Sequence, residues 1–299
     1  MTSIELHPLP RFGQVIREQF KAIALSLRLP AIGVAFLATV VTMLAFADFL
    51  RGRGGVEFAP ELSLIPAFAG LLLPIALWQS EKRFGPGFFW TLPVDRTRHA
   101  LAKVFAGWLL LMIAVSLFVI WLLVLALVTE ENITSEEIIR LLPTSTVPPP
   151  RTLDASMLRT VQWVPQPVLW LAPFFAATGT YALVSAIALG LRYPFRWLIG
   201  LAAGVFLIAA IGQGMGSDAL ALRIGDILES VFFGRYGVDG LLTARAESLK
   251  TVVELSSGEV VTVWRGLPVI NEWITATLLW TGIGVAGLFA ALTRHRERR

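Results

Sequence analysis

Cysteine is absent from the 299 residues of this sequence, which excludes disulfides, thiolate metal sites and cysteine nucleophiles. Charge is also scarce, because Asp, Glu, Lys and Arg make up 15% of the residues against ~25% in an ordinary soluble domain. Hydrophobic residues reach 56%, and the mean hydropathy is +0.71. A chain with so few charged residues could not cover its own surface with polar groups as a soluble domain does. The composition therefore indicates an integral membrane protein.

The long apolar runs have no ionisable residue in their central parts, and the three histidines (His7, His99 and His295) lie outside those central parts. Ionisable residues inside a membrane are the usual markers of ion pathways, proton relays and catalysis. Nucleotide-binding signatures are missing as well: neither Gly-x-x-x-x-Gly-Lys-Ser/Thr nor Gly-x-Gly-x-x-Gly after a strand occurs. We therefore expect no catalytic residue, metal or cofactor in this chain, and no enzyme activity of its own.

What is present is a series of apolar runs long enough to cross a bilayer. They lie at about 31–50, 62–80, 97–128, 167–191, 197–211 and 269–292. The predicted fold is one all-α integral membrane domain over residues 1–299, with six transmembrane helices. The run 97–128 would be about 48 Å long as a helix, against a hydrocarbon layer of ~30 Å, so we expect its first turns to project into solvent.

Residues 11–29 form an amphipathic pattern ahead of the first apolar run. Apolar positions recur at helical spacing, while Arg17, Lys21 and Arg28 lie mostly on the other face. A basic amphipathic helix of this kind lies along a membrane surface, with these three cations as anchors. The alternative is that the segment is only the start of the first span. We place the boundary between the two helices at Pro30, because proline removes a helix donor.

Two longer polar regions, 129–165 and 212–268, carry signals of small folded elements. Ser135 followed by Glu136 and Glu137 is typical of the start of a short helix. Residues 218–233 have the pattern of an amphipathic helix, and 251–264 read as two β-rich runs around a Ser-Ser-Gly turn. We therefore expect small helical elements and a β-hairpin outside the membrane.

Charge distribution predicts the orientation of the chain. Six spans place both termini on one side, together with loop 81–103 and the turn at 192–196. That side carries 15 of the 25 Lys and Arg residues and 5 of the 21 acidic residues, a net +10, which leaves −6 for the other side. The positive-inside rule makes the basic side cytoplasmic. We expect a multi-pass protein of the inner (cytoplasmic) membrane with both termini in the cytoplasm.

Residues 81–103 interrupt the apolar pattern with charge, glycine and proline. Pro86, Gly87 and Pro93 bracket a group of large apolar side chains: Phe88, Phe89, Trp90 and Leu92. Aromatic clusters rimmed by charge are typical of docking sites for another protein. An ordinary aromatic belt at the membrane interface is the alternative, and Arg96 and Arg98 could anchor to anionic lipid instead of protein.

The same segment resembles the loop after the second span of ABC-2-type transporter permeases. The matching residues are Glu81, Gly87, the run Leu92, Pro93 and Val94, and then Arg96 and Lys103. Asp95 stands where that family usually has serine, and Phe88 replaces a common threonine. The resemblance implies a coupling helix that contacts an ATPase subunit, and its predicted contact residues are Glu81, Arg83, Phe88, Phe89, Trp90 and Arg96.

The resemblance implies a permease subunit of an ABC exporter. ATP and magnesium would be bound by the partner ATPase, and the second permease would be an identical copy or a sister chain. Apart from these protein partners we expect contact with the lipid bilayer and none with nucleic acid. A different class also fits the sequence, namely a non-transporting membrane scaffold or sensor that binds a ligand or partner through the two polar regions.

Overall fold

The computed structural model describes residues 11–52, 60–82, 96–129, 136–141, 152–153, 158–164, 166–191, 196, 200, 203–204, 207, 218–255 and 257–297. The helices are α1 (Phe12–Ser26), α2 (Arg28–Leu50), α3 (Leu64–Lys82), α4 (Arg96–Val128), α5 (Ala172–Gly190), α6 (Asp218–Phe233), α7 (Val238–Thr243), α8 (Ala246–Leu249) and α9 (Ile270–Glu297). Short 3₁₀ helices, Pro60–Ser63 and Pro167–Leu171, lead into α3 and α5.

Five helical segments in the described part of the chain are long and apolar enough to cross a membrane. They are Arg28–Leu50, Glu61–Trp78, Thr97–Val128, Pro167–Gly190 and Ile270–Thr293. Five predicted runs are thus confirmed as helices, with ends shifted by a few residues. The predicted span 197–211 lies mostly outside the described residues, so the count of six stays a prediction.

The boundary between α1 and α2 falls at Leu27, three residues before the predicted break at Pro30. Proline lacks a backbone N–H, but the N–H groups in the first turn of a helix have no acceptor within the helix, so none is lost there. Pro30 therefore fits inside the first turn of α2 and does not end a helix.

Helix α5 is the centre of the bundle, in contact with α3, α4 and α9. Small residues line it: Ala172, Ala176 and Ala177 are fully buried, and a Cβ added to Gly70 of α3 would lie 2.5 Å from the Ala177 carbonyl oxygen. Such residues let helix backbones approach closely where lipid supplies no hydrophobic driving force between helices. The tight packing of α5 follows from this alanine-rich face.

The first turns of α4 do not project into solvent as predicted. Helix α1 packs along them, and Ile23 of α1 is buried in one cluster with Ala100 and Val104 of α4. The apolar face of α1 is thus used in a helix–helix contact, which shields the part of α4 that exceeds the length of a simple span.

Helix α2 stands at the edge of the bundle. None of its residues is buried, and its large apolar side chains are exposed along the whole helix. A hydrogen bond from Trp121 Nε1 of α4 to Thr42 Oγ1, 2.9 Å long, links it to the neighbouring span. Its apolar surface faces lipid or another membrane helix.

The two polar regions meet in one five-stranded sheet. The strands are β1 (Glu136–Leu141), β2 (Thr152–Leu153), β3 (Leu158–Trp163), β4 (Lys250–Leu255) and β5 (Val260–Trp264), in the order β2-β4-β5-β1-β3. Strands β4 and β5 form the predicted hairpin, with Lys250 opposite Trp264. Strand β1 joins the two regions by pairing with β5 at Arg140 and Trp264.

The short helix expected after Ser135 is wrong, because Glu136–Leu141 is strand β1. It pairs antiparallel with β3, from Glu136 opposite Trp163 to Leu141 opposite Leu158. Ile138 is buried beside Trp163 and Trp264, so β-branched packing and a distant partner strand outweighed the local capping signal. The end of the bundle that carries this sheet is called the sheet end below, and the opposite end, where α3 stops and α4 begins, the loop end.

Helix α6 confirms the prediction for residues 218–233. The next helix, α7, was expected outside the membrane but is inserted between spans. A Cβ added to Gly179 of α5 would lie 2.8 Å from a Leu241 methyl carbon and 3.1 Å from Thr281 Oγ1 of α9. Gly179 and Thr281 lie about half-way along the segments Pro167–Gly190 and Ile270–Thr293. Helix α7, in the polar region 212–268, therefore packs against the middle of both segments.

Candidate functional sites at the two ends of the bundle

The predicted coupling loop is described only at its two ends. Glu81 belongs to the last turn of α3, and Arg96 is the first residue of α4. Arg83, Phe88, Phe89 and Trp90 lie outside the described residues, so a docking surface formed by them stays a prediction. The structure nevertheless brings the two ends of the loop onto neighbouring, contacting helices.

Lys103 and Trp78 join these two helices close to the loop. The Lys103 ammonium lies 4.7 Å from the Trp78 ring centroid, and Lys103 is only 6% exposed. A cation over an indole face is stabilised by the ring quadrupole, and the effect grows when the pair is desolvated. Lys103, singled out from the sequence as the lysine that opens the span, is therefore part of the contact between α3 and α4.

The next residue connects α4 to the central helix. The Tyr181 hydroxyl of α5 donates a 2.8 Å hydrogen bond to the Val104 carbonyl oxygen. A Cβ added to Gly107 of α4 would lie 2.4 Å from that hydroxyl and 2.6 Å from Leu77 Cδ1 of α3. The start of α4 is thus in close contact with both α3 and α5 within two helical turns of the loop.

The predicted membrane anchors lie on the exposed side of this end. Arg17 and Lys21 are exposed on α1, opposite the packed face that includes Ile23, and Arg28 is the exposed first residue of α2. Lys21 forms a 2.9 Å ion pair with Glu18, so part of its charge is compensated locally. The structure places the three cations on one continuous α1–α2 segment, while their contact with lipid headgroups stays a prediction.

At the sheet end the structure reveals ion pairs that the sequence reading did not single out. Glu272, near the start of α9, accepts a 2.8 Å hydrogen bond from Arg235 Nε and also pairs with Arg245. Lys250 of β4 pairs with Glu61 of the 3₁₀ helix before α3, and its ammonium lies 4.6 Å from the Trp264 ring centroid. These contacts connect the sheet and the segment after α7 to the sheet end of two spans.

Asp239 is a further charged residue that the sequence reading missed. It lies on α7, is 6% exposed, and its carboxylate accepts hydrogen bonds from the Thr243 hydroxyl and from the Ser248 backbone N–H. Asp239 thereby connects α7 to α8. The Asp-x-x-x-Thr spacing is a usable helical signal, but nothing local indicates that the segment enters the bundle.

One face of α9 carries polar groups at four-residue spacing. Trp273 Nε1, Thr277 Oγ1 and Thr281 Oγ1 are buried and have no hydrogen-bond partner among the described residues. Buried polar atoms are usually partnered, so this face has spare hydrogen-bonding capacity. No group of three or more His, Asp or Glu residues that could hold a metal ion occurs within the described ranges.

Comparison with known proteins leaves the chain without an assigned family. No protein-family model, curated protein or solved structure matches it. The resemblance to ABC-2-type permeases therefore has no support from these comparisons and stays a prediction from the sequence.

Proposed function

We propose that this chain is the membrane-spanning permease subunit of an ABC transporter, working as an exporter. A separate ATPase subunit would dock on loop 81–103 and drive the spans by ATP hydrolysis. The observation that carries the proposal is the sequence of that loop: Glu81, Gly87, the run Leu92, Pro93 and Val94, and Lys103. ATP and magnesium belong to the partner, because this chain has no phosphate-binding motif of its own.

The geometry at the loop end supports this proposal. Force applied to the loop would reach α3 and α4 together, because the Lys103–Trp78 contact joins their ends. The Tyr181–Val104 hydrogen bond then connects α4 to the central helix α5. Movement of a docked partner would therefore be transmitted to the centre of the bundle and not only to the first turn of α4.

The proposed assembly includes a second permease, either a copy of this chain or a sister. Helix α2 supports such a partner, because it presents an apolar surface without one buried residue. The proposed location is the inner membrane with both termini in the cytoplasm. Reporter fusions test that orientation, and a reporter at residue 150 that is active in the cytoplasm would contradict it.

Purification with candidate ATPases tests the central claim. We expect an ATP-binding-cassette subunit to co-purify, and we expect Phe89→Ala with Trp90→Ala to abolish coupling between ATP hydrolysis and transport. Phe68→Ala with Leu278→Ala is the matched control, because both side chains are exposed on spans away from the loop and away from α2. Failure of any ATPase to co-purify, or intact coupling in the loop variant, would count against the proposal.

A membrane scaffold or sensor is the second candidate. It is favoured by the sheet, which both polar regions build together. Lys250 of the sheet pairs with Glu61 before α3, and Arg245, five residues ahead of Lys250, pairs with Glu272 of α9. A ligand bound on the sheet could move α3 and α9 directly. An ATP-binding-cassette gene beside this gene would favour the transporter, whereas ligand binding without any ATPase partner would favour the sensor.

A further inference from the structure

Helix α6 has two chemically distinct faces, and both are exposed. Ile227, Leu228, Val231 and Phe232 follow one another at helical spacing on one side. Ile227 is 62% exposed and Phe232 48% exposed, although both are large apolar residues. In the described part of the chain, the strongest packing of α6 is against the short helix α7 at its C-terminal end.

The opposite face of α6 is polar and acidic. Phe233, 53% exposed, shares this side at the last turn, but the other side chains described there are Asp226, Glu229, Ser230 and one cation, Arg223. At ~100° per residue these four occupy an arc separate from the apolar face. A helix with such a division needs an apolar environment on one side and water on the other.

The residues that follow α6 in the chain fix its position along the membrane-crossing helix α9, and hence its depth in the bilayer. Arg235 pairs with Glu272, and the backbone carbonyl oxygen of Tyr236 accepts a 3.0 Å hydrogen bond from Trp280 Nε1. Both partners are on α9, whose membrane-crossing segment begins at Ile270. At 1.5 Å per residue, Glu272 and Trp280 lie about 3 Å and about 15 Å along α9 from the start of that segment. The C-terminal end of α6 is therefore level with the stretch between them.

We propose that α6 lies in the bilayer interface of the sheet-end leaflet, with Ile227, Val231 and Phe232 in the acyl chains. Interfacial helices bury their apolar face ~5–10 Å into the headgroup–acyl boundary, which agrees with the depth set by α9. Helix α9 also exposes a large apolar side chain at this depth, since Leu278, eight residues into its segment, is 69% exposed. The polar face carries two carboxylates (Asp226 and Glu229) against one arginine (Arg223), so we expect insertion to depend on apolar area and not on attraction to anionic lipid.

The absence of cysteine permits a direct test with single spin labels on the intact protein. Cysteine is introduced at each position from 226 to 233, and the labelled protein is reconstituted in zwitterionic vesicles. Accessibility to oxygen, which partitions into lipid, is compared with accessibility to a water-soluble nickel complex. Leu278→Cys is the lipid control, and Glu259→Cys in the exposed β4–β5 turn is the water control.

We expect the ratio of oxygen to nickel accessibility to follow a helical period, with maxima at 227 and 231 and minima at 226, 229 and 230. The maxima should approach the value at 278, and added anionic lipid should leave the profile unchanged. Nickel accessibility at 227 and 231 equal to that at 259 would overturn the proposal. So would protection from both reagents together with spin–spin broadening, since this indicates a second protein copy on the face. No result depends on an ATPase partner.

Discussion

The ammonium of Lys103 lies 4.7 Å from the ring centroid of Trp78, and this contact joins the end of α3 to the start of α4. The residues between the two helices are the ones that resemble a coupling loop. The pair therefore lies where a docked subunit would first act on the membrane helices.

A double-mutant cycle measures how strongly this pair holds α3 to α4. We expect Trp78→Leu to destabilise the protein in the wild-type background and less so in the Lys103→Met background, with a coupling of ~0.5–2 kcal/mol in the free energy of unfolding. Trp78→Phe is the control, because it keeps an aromatic face for the cation. Additive effects of the two substitutions would show that the contact contributes nothing measurable.

The insertion of α7 depends on the missing side chain of Gly179. We expect Gly179→Ala to cost about 1–3 kcal/mol in the free energy of unfolding, because the new methyl group would overlap Leu241. Gly282→Ala in α9 is the matched control: no atom lies within 4 Å of its added Cβ, so the change should be neutral or slightly stabilising. Leu241→Ala should partly rescue Gly179→Ala, and equal effects at both glycines would refute the close packing.

The two arginines that contact Glu272 should contribute unequally to the free energy of unfolding. The side chain of Arg235 is 67% exposed and that of Arg245 21% exposed, whereas that of Glu272 is 15% exposed. We expect Arg235→Gln to cost ~0–1 kcal/mol and to lose its effect at high salt, as exposed ion pairs do. Arg245→Gln should cost ~1–3 kcal/mol, because it deprives a mostly buried carboxylate of its better shielded partner. Chemical denaturation at low and high salt checks this, and the reverse order would contradict it.

The basic face of α1 and the start of α2 should make stability sensitive to lipid charge. We expect anionic lipid to raise the thermal stability of the wild-type protein relative to zwitterionic lipid. Arg17→Gln, Lys21→Gln and Arg28→Gln together should remove much of that increase, since each cation near an anionic surface contributes ~1 kcal/mol. Arg159→Gln, on exposed β3 at the sheet end, is the control with an unchanged response. The same response in the triple variant and the control would argue against anchoring.

Local patterns predicted the helices well. The spans, the amphipathic helices α1 and α6 and the β4–β5 hairpin depend on residues close in sequence, whose hydrophobic period is visible without a structure. Glu81, Lys103 and the basic residues of α1 could also be picked out, because composition and motif spacing are local properties. Strand β1 contradicts its local pattern: Glu136 and Glu137 satisfy a capping rule, but the segment pairs with β3, whose residues lie 17 to 27 positions further along the chain.

The sequence by itself determined that this chain is built of membrane-length apolar helices and that its charges are unevenly divided, since both follow from composition and short-range order. Only the tertiary structure decided that residues 129–165 and 212–268 share one sheet, that α7 enters the bundle at Gly179, and that Glu61 and Glu272 are partly buried charges with partners. Those facts depend on contacts between residues 27 or more positions apart, as for Arg245 and Glu272, and on the fit of a leucine against a glycine. Such contacts are selected by packing and by the cost of burying an unpaired charge, and no local pattern records them.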